Sequence, residues 1–286
     1  MSDDHDNPNP HSAGLIREAL QARFGESPQV DDRLPGLDQL ARMAGRRVLR
    51  RFADRAVDPA LLQLLCACAL SAPSKSDLQQ AEILVVRDPA KRSALNDLLK
   101  DQAWVGAAPV FLVFLANGRR VVEIARMRGK PFPNDHLDLF FNASVDAGIV
   151  LATFLQAADA VGLGCCPISG IRQHAQRVSD LLELPDKVIP VAGMGLGWPS
   201  EKGNLSPRLA LADTVHVDRY DEGDLAGRLE AFDRRRDAIH HLRQRDTERW
   251  GTVPFYGWTE DKARHFAEPS CADFGAFVRR KGFCLD

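Results

Sequence analysis

Residues 137–161 read LDLFFNASVDAGIVLATFLQAADAV, and this stretch decides the fold class of the chain. Its spacing predicts one long helix, which carries almost no polar residue between Asp146 and Gln156. A helix that is apolar on all sides must be covered on all sides, because the exposure of apolar surface to water is unfavourable. The stretch is therefore predicted to be the central helix of a domain or a helix in an interface between subunits.

Shorter patterned segments surround this helix. Helical spacing predicts helices at residues 13–24, 38–44, 58–70 (largely buried) and 90–99, and a helical region at 221–245. Short apolar runs predict strands at residues 81–86, 109–115 and 188–196, the second of them buried on both faces. The last forty residues are aromatic-rich and are expected to be irregular. Because helices and strands are mixed without strict alternation, we predict an α+β fold.

The composition argues against several classes of protein. The chain has 286 residues and a formal net charge of −2, whereas a nucleic-acid-binding protein usually carries a basic excess. No stretch reaches the roughly 18 uninterrupted apolar residues of a membrane span. Residues 1–12 are predicted to be a disordered tail rather than a secretory signal. We therefore expect one domain over residues 13–286, with a C-terminal extension over about 221–286.

The six cysteines point to no special chemistry. They form no CxxC pair and have no histidine at ligand spacing, so we expect no metal site. The adjacent Cys165 and Cys166 are expected to be small core residues rather than a redox pair. Reduced thiols of this kind are typical of a cytoplasmic protein.

Two polar segments are candidates for ligand binding. Residues 45–52, GRRVLRRF, place four arginines in six positions, and arginine grips phosphate through paired hydrogen bonds. A solvated basic face is the alternative interpretation of this segment. Residues 72–79, APSKSDLQ, offer small hydroxyls and backbone amides to a polar heterocycle, although a simple helix-ending loop would have the same composition.

Two glycine-containing segments follow. In residues 162–170, GLGCCPISG, the glycines either let a flat ligand approach the backbone or make a tight turn after the long helix. Their spacing is not GxGxxG, so no Rossmann dinucleotide site is inferred. Residues 193–199, GMGLGWP, and the later SPRL at 206–209 indicate a strand, a turn and one further cation.

In this order, the four segments resemble the FMN-dependent nitroreductase family. They are most similar to its NADPH-preferring group, which includes oxygen-insensitive nitroreductases and flavin reductases. The resemblance runs from about Leu40 to the C-terminus. It implies an α+β fold with a central, mostly antiparallel sheet flanked by helices. It also implies an intertwined homodimer that holds two FMN molecules at its interface.

The resemblance further assigns residues to the FMN site. It places Arg46 and Arg47 at the phosphate and ribityl chain, Arg50 at the O2 side of the ring, and Arg208 at the phosphate. It places a loop of Pro73, Ser74, Lys75 and Ser76 along the isoalloxazine ring, and Gln102 at the pyrimidine edge of the ring. The residues that it places beside the N5 edge are Pro167, Ile168, Ser169 and Gly170.

This chain departs from the family pattern at several of these positions. Val48 stands where Ser or Thr is common, so one hydrogen bond to the phosphate or ribityl chain is missing. Ser206 stands where Lys is common, and Ser169 where Glu or Gly is common. Lys75 and Asp77 occupy positions that are usually uncharged. We expect FMN binding to survive these changes. They leave the identity of the substrate undetermined.

The implied function is hydride transfer from NADPH (or NADH) through FMN to a small oxidised acceptor, such as a nitroaromatic, a quinone or a flavin. A shared site predicts ping-pong kinetics, and no side-chain nucleophile is needed. The alternatives are an FMN-binding protein without rapid turnover, in a sensory or storage role, and a specialised member such as a reductive dehalogenase or an enoyl reductase. A preference for NADPH would use arginines at 234–236, 243 and 245, which could equally form a solvated helix face.

Overall fold

The computed structural model describes residues 8–286, which form two compact units. The first unit contains the described part of Met1–Arg47 together with Asn204–Ser270. The second unit contains Val48–Gly203 and Cys271–Asp286. Most of the predicted tail, residues 1–7, lies outside the described residues.

The second unit is built on one antiparallel sheet. Its strands are β1 (Ala81–Val85), β2 (Val110–Asn117), β3 (Gly164–Ile168) and β4 (Val188–Gly197). They lie in the order β1-β2-β4-β3, and every neighbouring pair is antiparallel. The predicted α+β class with an antiparallel sheet is therefore confirmed.

Strand β2 is buried on both faces, as its sequence predicts. Side chains alternate along a strand, so neighbouring residues point to opposite faces of the sheet. Leu112, Phe114 and Ala116 belong to one core cluster. Phe111, Val113 and Leu115 belong to a second cluster. The sheet is thus the middle layer of the second unit, with an apolar core on each side.

Helices cover both of these cores. The helices of the second unit are α3 (Pro59–Leu70), α4 (Pro89–Leu98), α5 (Trp104–Ala107), α6 (Arg119–Met127), α7 (Leu137–Ala160), α8 (Ala175–Leu181) and α12 (Phe274–Arg280). Helices α3, α7 and α12 contribute to the first cluster, and α4 and α8 to the second. Helix α3 was expected to be largely buried, yet Leu64 and Leu70 are exposed, so only one of its sides faces the core.

Helix α7 is the long apolar helix that the sequence predicts. It packs against β2 and α3, and its buried side includes Asp146, Val150 and Phe154. The opposite side exposes Phe141 and Val145. Within residues 8–286 it is the one helix whose length and composition would also allow a membrane span, but its packing against the sheet is that of a core helix.

The first unit is helical. Its helices are α1 (Pro10–Phe24), α2 (Leu37–Gly45), α9 (Leu225–Asp237), α10 (Thr247–Trp250) and α11 (Trp258–His265). Helix α1 begins before the predicted residue 13, because the side chain of Asn9 accepts a hydrogen bond from the Ser12 amide and Pro10 occupies the first turn. Helices α1 and α2 share a small apolar core formed by Ala13, Ile16 and Leu37.

Three further sequence predictions need correction. Residues 164–168 form strand β3 rather than only a glycine turn. The helix predicted over 221–245 is confined to α9. The last forty residues were expected to be irregular, but they contain α10, α11 and α12. In α11 the Thr259 amide donates to the carboxylate of Asp233, 3.0 Å away, so a residue distant in sequence helps the helix to begin.

Candidate functional site

Four arginines of the first unit lie close together. Arg46 is the C-terminal cap of α2, Arg47 follows it, and Arg208 comes from the SPRL segment. The fourth is Arg23, in the last turn of α1, which the sequence interpretation did not include. We call Arg23, Arg46, Arg47 and Arg208 the arginine cluster.

Arg23 is the buried member of the arginine cluster, with a relative exposure of 9%. Its guanidinium donates hydrogen bonds to the carbonyl oxygens of Ala44 (2.7 Å), Ser206 (3.1 Å) and Arg46. Its own carbonyl accepts from the Arg208 amide at 2.6 Å. Arg23 therefore joins the chain before Arg47 to the chain before Arg208.

The arginine cluster concentrates positive charge in the first unit. Within the part of the chain that the structure describes, none of the four arginines forms an ion pair with Asp or Glu. Burial lowers the pKa of the Arg23 guanidinium, and the charges of Arg208, Arg46 and Arg47 lower it further. Such a group of cations is suited to a compact anion such as phosphate.

Val48 and Arg50 belong to the second unit, where the chain runs beside β3. The Leu49 amide donates to the Cys165 carbonyl at 3.2 Å, and a Cβ built at Gly164 would lie 2.8 Å from Leu49 Cδ1. Val48 is half-buried and Arg50 is exposed. The guanidinium carbon of Arg50 lies 6.0 Å from the centroid of the Trp104 ring. Arg50 is thus exposed at the surface of this unit, beside Trp104.

A second candidate region lies at residues 73–76, which we call the serine loop. The Ser74 hydroxyl donates to the buried carboxylate of Asp146 at 2.7 Å and accepts from the Gln79 amide at 2.7 Å. The Lys75 amide donates to the same carboxylate at 3.1 Å. The serine loop is therefore fixed by Asp146 of α7, another residue that the sequence interpretation did not include.

The outer part of the serine loop is open. Pro73, Lys75 and Ser76 are exposed, and Ser76 has a positive φ of 48°. Residues 71–74 line a cavity of about 830 Å³ together with Asp146 and other residues of this unit. Ser76 is accordingly exposed to a ligand, whereas the Lys75 amide and the carbonyls of Ser74 and Lys75 are already engaged within the protein.

The structure brings Gln102 together with the segment 167–170. A Cβ built at Gly170 would lie 3.1 Å from Gln102 Nε2, so the absence of a side chain permits this approach. Ser169 is exposed, and Pro167 is half-buried at the end of β3. The side chain of Ile168 is in the core, so Ile168 can contact a ligand only through its backbone. No hydrogen bond among the described residues joins this segment to the serine loop.

The arginines considered for NADPH are mostly engaged with the protein. Arg235 donates to the carbonyls of Arg23 (2.9 Å) and Arg208. Arg234 pairs with Glu230 at 3.4 Å. The two remaining positions with no ion pair in residues 8–286 are Arg236 and Arg243, of which Arg243 is the more exposed.

Arg245 is likewise engaged, since it pairs with Asp261 at 3.4 Å. Burial by itself would raise the pKa of the Asp261 carboxyl. Hydrogen bonds from Lys262 and Tyr256 and the charge of Arg245 outweigh it and hold this pKa below its usual value. Asp261 is therefore a charged partner for Arg245, which makes Arg245 part of the internal structure of the first unit.

Fold and site define an α+β protein with a preformed group of cations in one unit and an ordered polar loop in the other. The chain belongs to the nitroreductase family. The Nitroreductase family pattern matches residues 43–198, and the pattern of its C-terminal domain matches residues 206–286. The resemblance seen in the sequence is thus confirmed, and α1 lies outside both matched segments.

Several relatives have named activities. The chain is 30% identical over 214 residues to the NAD(P)H-dependent FMN reductase of Bacillus subtilis, covering 73% of this chain and 86% of the relative. It is 35% identical over 181 residues to the oxygen-insensitive NADPH nitroreductase of Salmonella typhimurium, covering 62% and 72%. The NADPH:FMN oxidoreductase of Vibrio harveyi, solved with NAD+, superposes with a TM-score of 0.74 at 27% identity, covering 86% and 98%.

Proposed function

We propose that this protein is an FMN-dependent oxidoreductase that takes reducing equivalents from NAD(P)H and delivers them to a small oxidised acceptor. Nitroaromatics, quinones and flavins are the acceptor classes. The observation that carries the proposal is the arginine cluster, whose charge is not neutralised by Asp or Glu within the described residues, in a chain of the nitroreductase family. Relatives in this family bear the names FMN reductase and NADPH nitroreductase.

The residues of the first unit fit the phosphate end of FMN. Arg46, Arg47 and Arg208 would bind the phosphate, because among the described residues their side chains donate only to local backbone acceptors. The exposed Ser206 adds a hydroxyl but no charge. Val48 cannot donate a side-chain hydrogen bond, so the phosphate depends more strongly on the arginines.

The residues of the second unit fit a planar heterocycle. Pro73, Ser74, Lys75 and Ser76 would lie along the ring. The amide of Gln102 would bind at its pyrimidine edge, beside the backbone of Gly170. Pro167, Ile168 and Ser169 would supply contacts near the ring's reactive edge, mainly through backbone atoms and the exposed Ser169 hydroxyl.

Bound FMN would supply the redox chemistry, accepting a hydride from the nicotinamide and returning it to the acceptor. Arg50 would hold positive charge at the O2 side of the ring, where negative charge develops. We expect donor and acceptor to use one exposed site in turn, which gives parallel lines in two-substrate kinetics. No residue of the chain has to act as a nucleophile.

We also propose that the protein is an intertwined homodimer with two FMN molecules. Helix α7 exposes Leu137, Phe141 and Val145 at a spacing of four residues, which is one stripe of the helix surface. A second copy of the chain would cover this stripe. Light scattering should give a dimer mass for the wild type and a monomer mass for Phe141→Glu. Val217→Glu, at an exposed apolar residue of a different segment, is the control and should stay dimeric.

The remaining expectations follow from the same proposal. Residues 13–286 would act as one FMN-binding domain with an extension over about 221–286. The cytoplasm is the proposed location, with no nucleic-acid or membrane partner, in keeping with a net charge of −2 and with α7 packed against the sheet.

A purified sample tests the central proposal directly. The protein should be yellow and should release FMN rather than FAD when denatured. NAD(P)H should bleach the bound flavin anaerobically, and a nitroaromatic, quinone or free flavin should restore the colour. A yellow protein that NAD(P)H does not bleach would be a flavin-binding protein instead. A protein that is colourless and does not take up added FMN would refute the proposal.

A further inference from the structure

Helix α1 contributes Arg23 to the arginine cluster. This helix lies outside both segments that match the family. We propose that Arg23 is a positioning residue, which sets the geometry of the arginines that bind the phosphate of the cofactor. This inference rests on the proposed function, because it concerns the affinity for FMN. It adds to that function, since both matched family segments begin after α1, at residues 43 and 206.

The hydrogen bonds of Arg23 connect two distant parts of the chain. Its guanidinium donates to the carbonyls of Ala44 and Arg46 at the end of α2, and to the carbonyl of Ser206, which is 183 residues away in sequence. One rigid planar group therefore fixes both backbone segments at once. Those segments carry Arg46, Arg47 and Arg208.

The backbone of Arg23 reinforces the same arrangement. Its carbonyl accepts from the Arg208 amide at 2.6 Å and from the Arg235 guanidinium at 2.9 Å. Arg235 also donates to the Arg208 carbonyl. Arg208 is thus held at its amide and at its carbonyl, both times through groups that also contact Arg23 or belong to it.

The hydrogen bonds of Arg23 and Arg235 make the arginine cluster better suited to an anion, because they occupy backbone carbonyls. Carbonyl oxygens carry partial negative charge and would repel a phosphate. Arg23 and Arg235 donate to the carbonyls of Ala44, Arg46, Ser206 and Arg208, which are four of the backbone acceptors in the two arginine segments. The guanidinium groups of Arg46, Arg47 and Arg208 are left as the charged groups beside them.

The residue that follows α1 allows Arg235 to approach the end of this helix. The helix ends at Phe24, and Gly25 follows with φ of +78°, a conformation that favours glycine. A Cβ at Gly25 would lie 2.8 Å from Arg235 Cδ, so glycine also leaves room for Arg235. Burial and the charges of Arg208, Arg46 and Arg47 lower the pKa of the Arg23 guanidinium, in keeping with the close approach of these arginines.

The test compares two ligands that differ only in the phosphate. Titration of FMN and of riboflavin into the flavin-free full-length protein gives the preference for the phosphate-bearing ligand. In Arg23→Met we expect the dissociation constant for FMN to rise roughly ten- to a hundredfold, while that for riboflavin stays unchanged. Arg17→Met, on the exposed side of the same helix, is the matched control and should change neither value.

The outcomes separate this inference from the proposed function. A wild-type protein that binds FMN no better than riboflavin would refute the phosphate site itself. A wild type with normal preference and an Arg23→Met variant with the same preference would refute only the role of Arg23. An equal loss for both ligands, with a lowered melting temperature, would show that Arg23 supports the fold and does not position the phosphate site.

A second variant covers the case in which Arg23→Met fails to fold. Arg23→Lys keeps the charge, but a single ammonium group cannot reproduce the planar fork that reaches the three carbonyls. We expect this variant also to lose most of the preference for FMN over riboflavin. Full wild-type preference in Arg23→Lys would overturn the positioning role.

Discussion

The arginine cluster and the serine loop are both organised by one buried charged residue, but the two charges have opposite signs. In the first unit, the Arg23 guanidinium donates to backbone carbonyls. In the second unit, the Asp146 carboxylate accepts from the Ser74 hydroxyl and the Lys75 amide. Each buried charge therefore binds the backbone or side-chain groups of the opposite polarity.

This difference fits the proposed function, in which the two regions would contact different parts of FMN. Arg23 donates to backbone carbonyls, and the other charged groups of the cluster are the guanidinium groups of Arg46, Arg47 and Arg208. Such cations are what a phosphate requires. Asp146 occupies donors of the inner part of the loop and is itself removed from the surface, with a relative exposure of 2%. Variants in the two regions should consequently act on different parts of FMN binding.

The largest effect is expected at Asp146. Asp146→Ala leaves the Ser74 hydroxyl and the Lys75 amide without their acceptor and opens a small cavity in the core. The free energy of unfolding should fall by about 3–5 kcal/mol. Denaturant unfolding of the flavin-free protein measures this change. In any folded fraction, the affinities for FMN and riboflavin should fall together, because the serine loop would contact the ring.

The control for this variant lies on the same helix. Asp138 is exposed, and its contact with Lys75 is 3.5 Å long. Asp138→Ala should change stability by no more than about 0.5 kcal/mol, as is usual for exposed ion pairs. A comparable loss in both variants would show that the buried hydrogen bonds of Asp146 have no special importance.

Arg208 should give the next largest effect, and a different pattern. Arg208→Ala removes one charged donor from the phosphate site, and Ser206 supplies no second cation in that segment. The affinity for FMN should fall about ten- to a hundredfold, with the affinity for riboflavin unchanged. Arg219→Ala, an exposed arginine of the same unit, is the control. An unchanged dissociation constant for FMN in Arg208→Ala would remove Arg208 from the site.

The sequence was sufficient to predict those elements whose pattern is strong and local. Helix α7 and strand β2 are apolar over most of their length, and each was found within two residues of its predicted ends. Strand β3 was missed because Gly164, two cysteines and Pro167 carry no strand pattern. It forms because β4 offers a partner in register, and Pro167 is tolerated because β3 lies at the sheet edge.

The site was predictable only in part, for a similar reason. Arg46, Arg47 and Arg208 stand in segments with recognisable composition, and the structure brings them together. Arg23 and Asp146 stand in helices whose sequences are otherwise ordinary. Their partners lie up to 183 residues away for Arg23 and 71–72 residues away for Asp146. Only the tertiary fold reveals that these two residues organise the candidate site.

The smallest effect is expected for the choice of nicotinamide, and it extends the comparison to a second phosphate. NADPH differs from NADH by its 2′-phosphate, and Arg243 is an exposed arginine with no ion pair in residues 8–286. Arg243→Ala should lower kcat/KM for NADPH about threefold to tenfold and leave that for NADH unchanged, because an exposed cation contributes modestly. Arg234 pairs with Glu230, so Arg234→Ala is the control and should leave the ratio of kcat/KM for NADPH to that for NADH unchanged.

Arg245 is unsuitable for this test, since its loss would also leave Asp261 without a charged partner. A wild type that uses both nicotinamides equally well would exclude a 2′-phosphate site at Arg243. The proposed flavin chemistry would survive that result, because different arginines would bind the phosphate of FMN.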